Sequence, residues 1–199
     1  MDRVTIAPVV EGHGEVKALP VLLRRVACDL GVYDVDIPLP NRVGRSALAT
    51  QAGIANAVEQ ASYRVPGRGG VLVLFDADDD CPVDLVARLL TSARNVRQDK
   101  AIGLVVANKE FEAWFLAAAE SLAGRCGLPR DLAAPQDPEC KRDAKGWLSA
   151  AMKRGGGHPY KEVVDQPKLA AVFDMQAARV KSRSFDKFWR ETERLIIGS

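Results

Sequence analysis

Three pairs of acidic residues stand directly behind three apolar runs. Glu11 and Glu15 follow Val4-Thr5-Ile6-Ala7-Pro8-Val9-Val10, and Asp76 and Asp78 follow Val71-Leu72-Val73-Leu74-Phe75. Glu110 and Glu112 follow Ala101-Ile102-Gly103-Leu104-Val105-Val106 after the spacer Ala107-Asn108-Lys109. Carboxylates held together repel one another and resist ionisation unless a cation sits among them. Oxygen ligands without His or Cys favour Mg2+ or Mn2+ over zinc. The Asp-x-Asp spacing puts Asp76 and Asp78 on one side of an extended loop, within reach of one ion. Glu11 and Glu15 are one helical turn apart if a helix begins near Gly12.

Each pair also has a plain structural reading. Glu11 and Glu15 could serve a helix N-terminus through its dipole, and Asp79 and Asp80 suit helix caps ahead of Pro82. Glu110 and Glu112 could be surface residues of a first helical turn. Their coincidence at three strand exits is what favours a divalent-metal site.

Other motifs narrow the chemistry. Gly12-His13-Gly14 follows a strand, but Lys17 stands where a dinucleotide fingerprint needs its third glycine. GxxxxGK[ST], GxSxG and HExxH are all missing, which argues against P-loop nucleotidases, serine hydrolases and zincins. His13 reads either as a general base or proton shuttle, or as an ordinary loop histidine. Cys28, Cys81, Cys126 and Cys140 form no CxxC pair and the chain has 2 His, which argues against zinc sites and disulfide frameworks.

Elements must bring these acids to one place. Val4–Val10, Tyr33–Ile37, Val71–Phe75 and Ala101–Val106 read as strands. Between them, Val16–Leu30 (stopped by Gly31), a helix capped by Ser46 and running to about Ser62, and Pro82–Ala93 read as helices. Glu110–Leu122 is a fourth helix. Strands alternating with helices of this length form βαβ units, so residues 1–123 predict an α/β domain with a parallel sheet of four strands flanked by helices. Ligands of such sheets sit beyond the carboxyl ends of the strands, where the acids stand. Residues 124–138 read as a connector, and Cys140–Met152, Lys168–Val180 and Phe185–Ile196 as short helices of a C-terminal extension packed on the first part. The aromatic residues Phe185, Phe188 and Trp189 read as the apolar face of that extension.

Composition agrees. The 199 residues, 47% hydrophobic and 27% charged, suit one globular domain with a small appendage. No apolar run nears the roughly 20 residues that span a bilayer, and the first ten residues resemble no secretory leader; a cytoplasmic protein without a membrane is expected. The net charge of +2 hides a division: residues 1–140 carry 15 Lys/Arg and 19 Asp/Glu, and residues 141–199 carry 13 and 7. An acidic part beside a basic part suits a metal site next to a phosphate-binding surface, although solvated charge alone can fluctuate this far.

Val10-Glu11-Gly12-His13-Gly14-Glu15, followed by an apolar strand ending in Asp76-Ala77-Asp78, resembles a Toprim (topoisomerase–primase) domain. The Glu-x-x-x-Glu spacing and Lys109-Glu110-Phe111-Glu112-Ala113-Trp114 are more similar to the Toprim nucleases of the overcoming-lysogenization-defect (OLD) class. The chain also resembles a bacterial Toprim-like family of about this length and of unknown function, with a similar Phe-Glu-Ala-Trp helix. That family's tail is like Tyr160-Lys161…Asp165-Gln166 and Ser182-Arg183-Ser184-Phe185. The resemblance implies a four-stranded parallel sheet and Mg2+-dependent chemistry on phosphodiesters. It implies Glu11 as acid/base or metal-ligand glutamate and Asp76 and Asp78 as metal ligands, with Glu15 and Glu112 as the further carboxylates of the nuclease branch. The late lysine of those nucleases is not fixed by spacing; Lys161 is the first choice and Lys181 the second.

These readings converge on an Mg2+-dependent (or Mn2+-dependent) nuclease acting on DNA or RNA, with Lys161, Lys181 and Arg183 on the phosphates. The ATPase domain of OLD proteins has no counterpart in these residues, so the resemblance implies a separately encoded ATPase partner, in anti-phage defence. A rival reading is a non-catalytic metal-binding regulatory subunit of such an ATPase. A third, a phosphatase or nucleotidyl transferase built on the same acids, differs in its products.

Overall fold

A strand that is apolar on both sides needs cover on both sides, and here one cover comes from the middle of the chain and the other from its two ends. The computed structural model describes residues 3–198. At its centre lies a parallel sheet of five strands: β1 (Val4–Val10), β2 (Val35–Asp36), β3 (Asn41–Arg42), β4 (Gly69–Asp76) and β5 (Ala101–Ala107). The order is β2-β1-β4-β5, with β3 also pairing β1. β2 takes the start of β1 (Val4 opposite Val35) and β3 its end (Val10 opposite Arg42). Pro8, which has no N–H to give, falls in the stretch of β1 between these two short pairings. β3 adds a fifth strand to the four expected; two residues are too few to leave a pattern in the sequence.

The helices are α1 (Glu15–Asp29), α2 (Arg45–Leu48), α3 (Gln51–Ser62), α4 (Pro82–Asn95), α5 (Ala113–Ala117), α6 (Ala144–Arg154), α7 (Glu162–Val172), α8 (Met175–Lys181) and α9 (Arg183–Ile197). Side chains alternate across the sheet. Ile6, Val10, Leu72 and Val105 enter one core with Leu22 of α1, Leu169 of α7 and Leu195 of α9. Val9, Val71, Val73 and Leu104 enter the other with Ile54 of α3 and Leu89 of α4. The C-terminal helices therefore complete the layer that α1 begins. Trp114 and Phe185, 5.2 Å apart edge to face, belong to this layer, and Phe188 and Trp189 are buried with them. None of the helices in the described residues is long and apolar enough to cross a membrane.

Helix boundaries differ from expectation where a local hydrogen bond outweighs periodicity. The helix expected from Ser46 to Ser62 is two helices. Thr50 is extended (φ −113°, ψ 150°) and its hydroxyl accepts from Gly53 N at 3.1 Å, so Thr50 rather than Ser46 is the cap, and Ser46 lies inside α2. The helix expected over 110–122 shrinks to α5 and a 3-10 turn (Ala119–Leu122). The one expected over 168–180 starts earlier, at Glu162, and runs through Pro167. It stops before Asp174, whose carboxylate caps α8 by accepting from Gln176 N and Ala177 N.

α9 begins on a charged cap. Glu139, buried in the connector, accepts from Arg183 N at 3.0 Å, Ser184 N at 2.9 Å, Ser182 Oγ at 2.7 Å and Ser184 Oγ at 2.6 Å. Ser184 Oγ in turn accepts the Trp114 indole N–H at 2.8 Å. A carboxylate at a helix N-terminus gains from the dipole as well as from its hydrogen bonds. Replacing Glu139 by Ala should therefore lower stability by about 2–3 kcal/mol. The change is read as a lower urea midpoint at unchanged slope, and an unchanged midpoint would show that this cap is idle.

Candidate functional site

Neighbouring strands end side by side, so residues just beyond them meet. Glu11 Oε2, after β1, accepts the backbone N–H of Asp76 at 3.2 Å, and Asp76 Oδ1, at the end of β4, accepts the N–H of Phe111 at 2.8 Å. These two bonds tie the exits of β1, β4 and β5 together. Glu15 is buried in the first turn of α1. A Cβ at Gly12 would collide with Glu15 Oε2, so this glycine gives the carboxylate its place. Glu112 is fully buried. Its Oε1 accepts from the Tyr160 hydroxyl at 2.9 Å and from Gln166 Nε2 at 3.2 Å, and the same Nε2 lies 3.2 Å from Glu15 Oε1.

The electrostatics follow from burial. Burial, and then Glu112, Glu15 and Glu11, hold the Asp76 carboxyl well above the usual range against the pull of Lys145. Burial pushes Glu112 up to about 7, although Lys145 and the Tyr160 hydroxyl oppose it. Glu11 is raised by burial and by Asp78 and Glu15, with the Asp76 N–H working the other way. Burial disfavours the charge on Lys145, yet Glu112, Asp76 and Glu162 outweigh it and raise its pKa. Glu110 fixes that lysine: its Oε1 and Oε2 accept Ala144 N and Lys145 N at 3.1 and 3.2 Å, capping α6 together with Asp143, which takes Gly146 N at 2.9 Å.

Could these residues hold a hard cation? Among the described residues no three His, Cys, Asp or Glu side chains converge closely enough to grip a metal ion as they stand. Two buried carboxylate oxygens, Glu15 Oε2 and Glu112 Oε2, nevertheless have no hydrogen-bond partner. Such oxygens are costly to leave unmatched, and a divalent cation is a partner suited to an all-oxygen donor set. On that observation the acids fit Mg2+ or Mn2+.

The structure brings Glu11, Glu15, Asp76 and Glu112 into one hydrogen-bonded and electrostatically coupled group. Asp78 stands at its rim, in the left-handed region (φ 52°), ion-paired to Arg45 at 2.9 Å. Arg45 also bonds the Asp76 and Ala77 carbonyls and Asp80, and so staples this loop to α2. Lys161 directly precedes α7 without a side-chain capping bond, and lines a groove with Lys145, Tyr160 and Glu162. Lys181 pairs with Glu120 at 3.3 Å, and Arg183 lines a different groove beside Asn108 and Pro82. His13 is exposed. Sequence reasoning did not single out Lys145 or Arg45. Tyr160 and Gln166 entered it only as part of a similar tail, since no spacing rule connects residue 15 with residue 166.

Residues 10–193 match the family described as "Domain of unknown function (DUF4276)". No curated protein and no solved structure matches the chain.

The raised carboxyls set a pH dependence. Glu112 titrates near 7 when folded and near 4.5 when unfolded, so the folded chain holds the extra proton between those values. Stability without metal should therefore be fully present below about pH 4.5 and fall as pH rises towards 7, by up to roughly 3 kcal/mol. Asp76 adds in the same direction. Thermal melts in EDTA from pH 5 to 8 test this; a melting temperature that rises across that window would contradict it.

Proposed function

We propose that this chain, which belongs to the DUF4276 family, is an Mg2+-dependent (or Mn2+-dependent) nuclease of Toprim type that hydrolyses phosphodiester bonds in DNA or RNA. The observation that carries the reading is the pair of buried, unpartnered oxygens, Glu15 Oε2 and Glu112 Oε2, in an acid group at the carboxyl edge of a parallel sheet. That edge is where open sheets of this kind take their ligands.

Glu11, Glu15, Asp76, Asp78 and Glu112 would hold the cation. A divalent ion held there would supply polarisation of a phosphoryl oxygen and a lowered pKa for water. The chain's own residues do the rest. Glu11 is half-buried with a raised carboxyl, so it keeps a proton more readily than an ordinary glutamate and suits acid/base duty. Lys145, held charged by its acidic neighbours, is the cation set to offset charge developing on the phosphate. Lys161 shares its groove and suits a phosphate of the backbone. Lys181 and Arg183, in the basic part of the chain, extend a sequence-independent contact with nucleic acid.

The resemblance to OLD proteins extends the proposal to a cytoplasmic setting with a separately encoded ATPase partner, in anti-phage defence. The second reading is a non-catalytic metal-binding subunit of such an ATPase, and one observation weighs against a ready-made catalytic centre. As they stand, no three of the acids in the described residues converge on a single point.

Incubation of the purified chain with supercoiled plasmid in Mg2+, Mn2+ or EDTA, beside the Asp76→Asn variant, tests the proposal. Nicking should require metal and fall by more than about 100-fold in the variant, beyond the 10–100-fold typical of residues that only support ligands. Nicking in EDTA would sink the metal requirement, and undiminished nicking by Asp76→Asn would remove that residue from the ligands. A wild type that never cleaves, yet binds Mn2+, would select the second reading.

A further inference from the structure

We infer that Gln166, with Tyr160, is a positioning residue of the acid group: its carboxamide holds one oxygen of Glu15 and one of Glu112, leaving the second oxygen of each free for a divalent cation. The inference rests on the cation-dependent reading above and adds to it that α7 belongs to the site.

The argument begins with which oxygens are satisfied. Gln166 is fully buried, and its Nε2 lies 3.2 Å from both Glu15 Oε1 and Glu112 Oε1. The Tyr160 hydroxyl donates to the same Glu112 oxygen at 2.9 Å. The Oε2 atoms of both glutamates have no partner. Each carboxylate is thus divided in the same way, with one oxygen tied to neutral donors from the C-terminal part of the chain and the other left open.

The kind of donor matters. A lysine or arginine at position 166 would neutralise the acids and remove their need for a cation. A carboxamide and a phenol orient them and add no charge of their own. Polar partners of ligand carboxylates serve this purpose in known metal sites. A plain core position would take an apolar side chain instead, because burying a carboxamide is costly; here its Nε2 is paired with both glutamates while its Oε1, like their Oε2 atoms, has no partner.

A second feature points the same way. Gly14 has an ordinary helical backbone (φ −68°, ψ −45°), so its conformation does not call for glycine. Its space does: a Cβ there would collide with Gln166 Oε1 and come within 3.2 Å of Glu162 Cβ. Gly12 makes room for the Glu15 carboxylate, and Gly14 for the side chain that orients it.

The test is Mn2+ binding by full-length protein, followed by electron paramagnetic resonance after stripping with EDTA, for wild type, Gln166→Met and Tyr160→Phe. Melting temperatures in EDTA are recorded alongside. Gln166→Met keeps the volume and removes the donor; Tyr160→Phe removes one hydroxyl. Both should weaken Mn2+ binding, by about 10–100-fold for Gln166→Met and by less for Tyr160→Phe. A merely structural role would lower the melting temperature in EDTA and leave the Mn2+ dissociation constant where it was. If Gln166→Met does not fold, Tyr160→Phe decides alone. Wild-type affinity in the folded variants would overturn this inference and spare the proposed function. A wild type that binds no Mn2+ would overturn both.

Discussion

Four carboxylates set against one lysine, two of them (Glu15 and Glu112) buried, are the constraint on which the rest of this structure depends. Like charges in a poorly hydrated site raise one another's pKa and oppose folding unless something offsets them. Every nearby element answers that problem. Backbone N–H groups of Asp76 and Phe111 bind the acids at the ends of β1 and β4. Glu110 spends both its oxygens on the N-terminus of α6, which places Lys145 where Asp76 and Glu112 feel its charge. Tyr160 and Gln166 reach in from the far end of the chain.

Much of this was written openly in the sequence. β1, β4 and β5 carry apolar residues on both faces, which only a sheet covered on both sides can bury. Parallel pairing follows from the helices between them, and with it the convergence of the strand exits that gathers Glu11, Asp76 and Glu112. The less visible parts depend on contacts that no local pattern encodes. The pattern predicts a helix from Lys168, yet α7 begins at Glu162 and runs through Pro167. A single hydroxyl, that of Thr50, breaks an otherwise continuous helical pattern. Which basic residue meets the acids was undecidable from order alone, because the choice of Lys145 is made by Glu110, which accepts the backbone N–H groups of Ala144 and of Lys145 itself.

The C-terminal helices have two tasks in one packing arrangement. Their apolar sides complete the core over α1 and β5, with Leu169, Phe185, Phe188 and Leu195 in the same cluster as Leu22 and Leu72. Their polar groups at the sheet's carboxyl edge finish the acid group. Arg25 of α1 ties that helix to the end of α7 within this layer by donating to the Ala170 and Phe173 carbonyls at 2.7 and 2.9 Å.

That Gln166 bridges back across 151 residues to Glu15 also sets a timetable. A chain leaves the ribosome from its N-terminus. β1, α1 and the strand exits exist long before α7 does, so a nascent chain holds its acids without the groups that orient them. The acid group takes its finished form only once Tyr160 and α7 have been made. Until α7 has been made and has packed against α1, the acids stand without the carboxamide that bridges two of them.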